Sequence, residues 1–517
     1  MVDSRAIWQD RFKSLDKIFA ETETLHLSIA AEYENIFQTF FPNWDPNQPN
    51  ANAFNDKAQA YDLLLLSTQI DLSLKLLHSL RIFITQAFNT FLEQYDESDR
   101  DADDAFKQRF IMRFLLFQGS LDLNIIQQLV HQRHYIVENN TPKLSFQNKN
   151  LLLADGLATM ALSPLINAGY LPTTTNVMCY LEKNVRIRLV PYDDTVLIRI
   201  AATSFWKRGG ETPSEDLLAI LHEIGHHLYW NGKVPGSAQY IYQLLADKMK
   251  MVGIHNPKDW RRRWLEEIFA DAYALLQGGP VVVYNFQEML AEDLPNHFKE
   301  DVDKHPIPEI RPLIQAKLLG KYQNDSGNPL YSAIHDQLDQ AWQETIGKDP
   351  LQQTYHIHHH HEPMTGQEIL QTLDGLLDKI AEVLQPLYSA IISNEDAFTR
   401  QPGIWSKDSV KNNELHALYT QFAHAATAKH IQKETIWGTF FANTETAHLE
   451  IAAIGETDDA ILRFLSERFS STPKTFDERV EELTGKKPSE HTDDDWIDIF
   501  LSRGWSTEGP DADPTGH

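Results

Sequence analysis

Residues Leu217 to Tyr229 read LLAILHEIGHHLY, and the reading of the whole chain turns on this stretch. Inside it His222, Glu223 and His226 form the pattern H-E-x-x-H. On a helix, positions four apart share a face, so both imidazoles can meet one ion. Glu223 follows the first of them, and its carboxylate can act as general base on water at that ion. Thr212, Pro213 and Glu215 stand upstream as an N-cap, a first-turn proline and an N3 glutamate. Leu217, Leu218, Ile220, Leu221, Ile224 and Leu228 spread over more than one side, which predicts a helix buried inside a domain.

A second stretch, Trp264 to Leu276, reads WLEEIFADAYALL. Zinc that keeps one position open takes three protein ligands. Glu267 can supply the third, after His222 and His226. Asp271 lies one turn later, where it can accept the free N–H of a ligating imidazole. His227 neighbours a ligand but points about 100° away around the helix, so it reads as a supporting or packing residue.

The pair HEIGH and EEIFAD resembles the two signature helices of the gluzincin zinc metallopeptidases. The ending Ala270-Asp271 is similar to that of the Ste24/HtpX-like peptidases and their soluble relatives. The resemblance implies a zincin-like catalytic core that hydrolyses peptide bonds of a peptide or protein substrate with Zn²⁺. It implies His222, His226 and Glu267 as ligands, Glu223 as base and Asp271 behind a ligand. Lys304-His305-Pro306 and Arg311 extend it, because that group carries a His-Pro and a later Arg after the glutamate helix. A donor for the developing oxyanion is implied there, His305 first and Arg311 second, with Tyr273 and Tyr284 as further options. His305 also reads as a structural residue at a rigid turn. The likeness spans roughly Val185 to Leu319. Ste24/HtpX-like enzymes carry transmembrane helices, whereas no run in this chain approaches the roughly 18 apolar residues that a span requires.

The chain has 517 residues, 42% of them hydrophobic and 23% charged, which is globular composition. Its net charge of -27 makes nucleic acid and anionic membranes poor partners. The lone cysteine, Cys179, excludes an internal disulfide and fits a reducing compartment. The N-terminus MVDSRAIWQDRF lacks the apolar core of a signal peptide, so the expected location is cytoplasmic.

The expected fold class is α+β, mostly helical, with a small sheet beside the HExxH helix. Residues 1–141 read as a helical region, with long helices at 7–40 and 58–95 and shorter ones near 105–117 and 121–137. Its leucine stripes suit core packing, or a face for a protein partner. Residues 142–330 hold the catalytic core. Val185 to Val190 and Val196 to Ile200 alternate with period two around a Pro191–Asp194 turn, which predicts a hairpin. Arg186 and Arg188 on its first strand are expected to face solvent, joined by Arg199. The edge of such a sheet can hold an extended substrate by strand addition. Residues 331–365 read as a linker containing His356 to His361, five imidazoles in six residues. That tract reads as an unstructured segment with incidental metal affinity, a zinc store or an ordered site. Residues 366–517 read as a helical C-terminal region.

Two functions fit this pattern. One is a zinc peptidase. The other is a catalytically silent or latent peptidase-like protein acting as a binding or scaffold module, its helical flanks meeting a partner.

Overall fold

The computed structural model describes residues 5–40, 54–95, 103–138, 141–182, 186–201, 215–292 and 301–393, except 257, 302–303, 324–330, 332–333, 359 and 361, together with Glu478 and Glu481. Of the C-terminal region expected to be helical, residues 394–517 other than Glu478 and Glu481 lie outside these residues, as do Thr212 and Pro213.

The described chain is mostly helical, with small sheets. It opens with α1 (Arg5–Phe40), α2 (Phe54–Gln94) and α3 (Asp103–Gln132). α3 is one helix where two were expected. A glycine inside a helix weakens it, but Gly119 sits against the Ile84 side chain of α2, where a Cβ would come within 3.0 Å of Cδ1. Close packing thus explains the residue that reads as a break. β1 (Ile136–Glu138) and β2 (Thr141–Lys143) then form a short antiparallel pair.

The sequence reading missed α4 (Phe146–Asn167), which follows. Its buried face extends nearly all round the helix, so it shows little of the periodicity that marks an amphipathic helix. It carries Asp155, buried against Arg133 with Oδ2 at 3.0 Å from Nη2. A buried ion pair needs further hydrogen bonds to be tolerated. Here Gln69 Nε2 and the Cys179 backbone N–H both donate to Asp155, at 2.6 Å each.

β3 (Asn176–Glu182), β4 (Arg186–Arg188) and β5 (Thr195–Ala201) make a three-stranded sheet in the order β3-β5-β4. The expected β4–β5 pairing is antiparallel, with Ile187 opposite Ile198. β3 runs parallel to β5 on the other side. Both faces are covered, which is why the strands are rich in apolar residues. Met178, Tyr180 and Leu197 join the core of α1–α3, including Trp8, Phe19 and Phe83. Val177, Cys179, Val196, Ile198 and Ile200 join a larger cluster with residues of the helices that follow.

This layering corrects the expectation for Arg188. Its guanidinium does not face water but bonds to Asp122 and to Gln118 on α3, the latter at 2.9 Å. Arg186 is exposed as expected. Arg199 reaches Glu182 at 2.6 Å.

A 3-10 turn at Glu215–Leu218 leads into α5 (Ala219–Asn231). α6 (Ile241–Met251), α7 (Trp260–Gly278), α8 (Pro280–Glu292), α9 (Arg311–Leu319) and α10 (His335–Ile346) follow. Asp259 caps α7 by accepting from the Arg261 N–H at 3.0 Å. Gly279, at φ 59° and ψ -147°, ends it in a positive-φ conformation that suits glycine.

Short strands β6 (Thr354–Tyr355) and β7 (Met364–Thr365) precede α11 (Gly366–Ser393). The stretch around the His tract is tied down. Tyr355 and Ile357 are buried while His356 and His358 point out. The His358 N–H donates to Asp301 at 2.6 Å, and its carbonyl accepts from Arg263 at 2.6 Å. The core around α5 and α7 also includes Trp342, Leu373, Leu377 and Ile380 of α10 and α11. Among the described residues no helix is long and apolar enough to cross a membrane.

Candidate metal centre

The centre lies where α5 crosses α7. Gly225, in the middle of HEIGH, faces Ala270, in the middle of EEIFAD. A Cβ on Gly225 would stand 2.7 Å from Ala270 Cα and 2.8 Å from its carbonyl oxygen. With no side chain between them, the backbones approach closely, and the residues on either side of Gly225 and Ala270 meet. His222 and His226 flank the glycine, and Glu267 and Asp271 flank the alanine.

His222 Nε2 and His226 Nε2 face each other at 3.0 Å. Glu267 reaches His222 Nε2 with Oε2 at 3.4 Å and His226 Nε2 with Oε1 at 3.5 Å. Among the described residues this is the cluster of three or more ligand-type side chains able to hold a metal, with all its ligand atoms within 4.8 Å of one another. Tetrahedral zinc with bonds of about 2.0–2.1 Å holds its donors about 3.3 Å apart. The observed spacings bracket that figure, so the three residues fit one divalent ion.

Both imidazoles face a carboxylate with their other nitrogen, as ligating histidines commonly do. His222 Nδ1 stands 2.9 Å from Asp271 Oδ1, although the ring is not aligned for a full hydrogen bond. His226 Nδ1 meets Glu266 Oε1 at 3.0 Å, and the same oxygen accepts from Trp230 Nε1 at 2.7 Å. The sequence reading anticipated Asp271 and missed Glu266. The only signal was a second carboxylate beside Glu267, and its direction depends on how the two helices cross.

The electrostatics follow from burial. Burial pushes the His222 imidazole down, but Asp271 and Glu267 outweigh it and hold the group at about 10. His226 is also raised, burial opposing and Glu267 prevailing. Burial acts to raise Glu267, yet His305, His226 and His222 keep its carboxyl well below the usual carboxylate range. Asp271 is likewise held low, against burial, by Arg311 and His222.

The remaining predicted residues surround this set. Glu223 is 7% exposed, and its Oε2 accepts from the Ile187 backbone N–H of β4 at 2.6 Å. His305 Nδ1 stands 3.0 Å from Glu267 Oε2, with its side chain 40% exposed. Arg311 is buried and fully engaged: Nε and Nη2 donate to Asp271, and Nη2 also donates to Glu267 at 3.1 Å. Its guanidinium also lies over the Phe286 ring, 4.8 Å from the centroid. The Tyr273 hydroxyl donates to the Ala161 carbonyl of α4 at 2.5 Å, not to the His222–His226–Glu267 cluster. His227 turns away from the face that carries His222 and His226. It lines a separate cavity of about 190 Å³ with Thr175, Val190 and Lys233.

Comparison of the chain with protein-family models, with curated proteins and with solved structures finds no match.

Proposed function

We propose that the protein is a zinc-dependent peptidase of gluzincin type. The observation that carries this reading is the convergence of His222 Nε2, His226 Nε2 and the Glu267 carboxylate on one point, with Glu223 on the helix that bears both histidines. A metal store would have no use for a fourth acid there. The β3-β5-β4 sheet fits the same reading, because its outer strand touches Glu223.

His222, His226 and Glu267 would hold the ion. Bound there, Zn²⁺ supplies a Lewis acid and lowers the pKa of water. Glu223 takes a proton from the attacking water and delivers it to the leaving amine nitrogen, so one water is added across one C–N bond. Asp271 and Glu266 orient the two imidazoles. Arg311 acts through Asp271 and Glu267. His305, at the mouth of the site with 40% of its side chain exposed, is the residue proposed to donate to the oxyanion.

One observation favours a second reading, a latent form. In the described conformation Glu223 is engaged by the Ile187 amide.

The test is incubation of the purified protein with an unbiased peptide library, with cleavage read by mass spectrometry. Cleavage is expected from the wild type and abolished by a zinc chelator. Glu223→Gln is expected to keep zinc and fold and to lose turnover by about 10²–10⁴-fold. Hydrolysis retained in Glu223→Gln would remove the mechanism. Zinc is counted on a chain whose tract histidines 356 and 358–361 are changed to Ser, leaving buried Ile357 in place. One tightly held ion is expected, lost in Glu267→Ala. Tight zinc that disappears with the tract and survives Glu267→Ala would assign the metal elsewhere.

A further inference from the structure

Three segments surround the cavity of about 190 Å³ that His227 lines: the loop after α4, the turn between β4 and β5, and the loop from α5 to α6. Each brings a different kind of group to it. Lys233 stands just past the end of α5, half-buried. Its backbone is fixed, with the N–H donating to the Tyr170 carbonyl at 2.8 Å. Its ammonium lies over the Tyr240 ring, 4.9 Å from the centroid, and makes no ion pair among the described residues. A partly desolvated ammonium with no counter-charge favours an anionic group beside it.

Asp193 and Asp194 enter from the β4–β5 turn. Asp193 is taken up by the protein. Its Oδ1 accepts from the Thr195 N–H at 3.0 Å and hydroxyl at 2.7 Å, and its Oδ2 accepts from the Ser79 hydroxyl at 2.9 Å. Asp194 is half-buried and is held by the Thr174 hydroxyl, which donates to Oδ2 at 2.9 Å. A carboxylate accepts about four hydrogen bonds, so Asp194 keeps capacity for a cationic donor. The loop after α4 adds to that preference, because α4 ends at Asn167 and the C-terminal end of a helix favours positive charge. Thr175, in the same loop, is 2% exposed, and its hydroxyl has no hydrogen-bond partner among the described residues. A polar occupant can supply one. Leu171 and Val190 make part of the lining apolar.

We propose that this cavity binds a free α-amino acid with a small apolar side chain, its carboxylate on Lys233, its ammonium on Asp194 and its side chain against Leu171 and Val190. An anion alone leaves Asp194 unmatched, and an amine alone leaves Lys233 unmatched. A zwitterion matches both. A cavity of about 150 Å³ takes benzene, so this one takes about eight non-hydrogen atoms, the size of valine. The site uses neither the metal cluster nor Glu223, so it stands whether or not the chain cleaves peptides.

The test is isothermal titration calorimetry of the full-length chain with valine. Chelator is removed after metal stripping, because amino acids also bind zinc. A Kd of about 0.1–1 mM is expected for a ligand of this size. Isovalerate lacks the ammonium and isobutylamine lacks the carboxylate, and each is expected to bind about 10- to 100-fold more weakly than valine. Lys233→Met keeps the aliphatic stem on Tyr240, Asp194→Asn keeps the shape of the acid, and each is expected to weaken valine binding about 10- to 100-fold. Thr175→Val removes only the unpartnered hydroxyl and is expected to weaken it about 2- to 10-fold. Circular dichroism checks the fold of each variant. The ligand series needs no variant, so it decides the matter even where a substitution prevents folding. The proposal is overturned if valine shows no binding at about 10 mM. It is also overturned if isovalerate or isobutylamine binds as well as valine, or if folded Lys233→Met or Asp194→Asn keeps the wild-type affinity.

Discussion

Arg311 grips Asp271 with two parallel hydrogen bonds, Nε to Oδ2 and Nη2 to Oδ1, both at 2.8 Å. Asp271 in turn stands 2.9 Å from His222, so the guanidinium fixes the ring of a proposed ligand at one remove. It also tethers Glu267, another proposed ligand. Arg311→Ala leaves a buried carboxylate without its counter-charge and is expected to cost about 3–5 kcal/mol of stability. Zinc affinity is expected to fall about 10- to 100-fold. Arg311→Lys keeps the charge but loses the planar fork, and should recover only part of both losses. Denaturation in the presence of chelator reads the first quantity, and competition with a chromogenic chelator reads the second. Unchanged zinc affinity in Arg311→Ala would show that the guanidinium serves only folding.

Gly225 is where α5 and α7 touch. The nearest atoms to an added Cβ belong to the Ala270 backbone, which cannot swing aside as a side chain can. Gly225→Ala is therefore expected to force the helices apart and cost about 1–3 kcal/mol, despite alanine's better helix propensity. It should also weaken zinc binding, because His222 and His226 would retreat from Glu267. The two effects are read by thermal unfolding of the metal-free protein and by zinc titration. A variant more stable than wild type would contradict this close approach.

The His222–His226–Glu267 cluster was legible because each half of it lies within one helical turn or two, where spacing alone fixes the face. H-E-x-x-H and the Glu267–Asp271 pair needed only the 3.6-residue period. The features that escaped depend on contacts between segments distant in sequence. Glu266 points at His226 only because of the crossing at Gly225. Arg311 was read as a donor to the reaction, but its guanidinium is enclosed by Asp271, Glu267 and Phe286. α4 was invisible because it is buried on nearly all sides. β3 lies parallel to β5, a pairing that no local turn announces. The β4–β5 hairpin, joined by a short turn, was predicted from its alternation.

The pH response of the metal-free protein follows from His222 and its neighbours. The folded-state value of His222 is raised from 6.5 to about 10. Its protonated form therefore contributes stability that is complete below its unfolded value and is lost as pH rises through about 10. Glu267 and Asp271 are depressed, so their contribution is present above the ordinary carboxylate range and is lost as pH falls through their lowered values. Chelator-treated protein should accordingly lose denaturation midpoint between pH 6.5 and 10. Zinc must displace the protons on His222 and His226, so its affinity should climb across the same interval. Zinc-saturated protein should show a much shallower decline in stability. An apo protein whose stability is flat across this interval would mean that His222 carries no shifted proton.

Glu266 gives the last prediction. Its Oε1 meets His226 Nδ1 at 3.0 Å and the Trp230 indole N–H at 2.7 Å, while Lys304 stands 3.9 Å from Oε2. The carboxylate is held low, against burial, by His226 and Lys304, so it is ionised at neutral pH. An ionised acceptor fixes the tautomer of His226, leaving Nε2 free to ligate, and makes the ring a stronger donor. Glu266→Ala should lower zinc affinity about 10- to 100-fold. Glu266→Gln keeps an acceptor without the charge and should fall between that variant and wild type. Trp230 loses a hydrogen-bond partner in Glu266→Ala, so its emission should shift even without metal. Substituting cobalt adds a readout that a purely structural role would not move, because the visible absorption bands of the ion respond to the donor strength and geometry of His226. Equal zinc affinity and identical cobalt spectra in wild type and Glu266→Ala would reduce Glu266 to a packing residue, and the second carboxylate–histidine pair would then have no part in the metal centre.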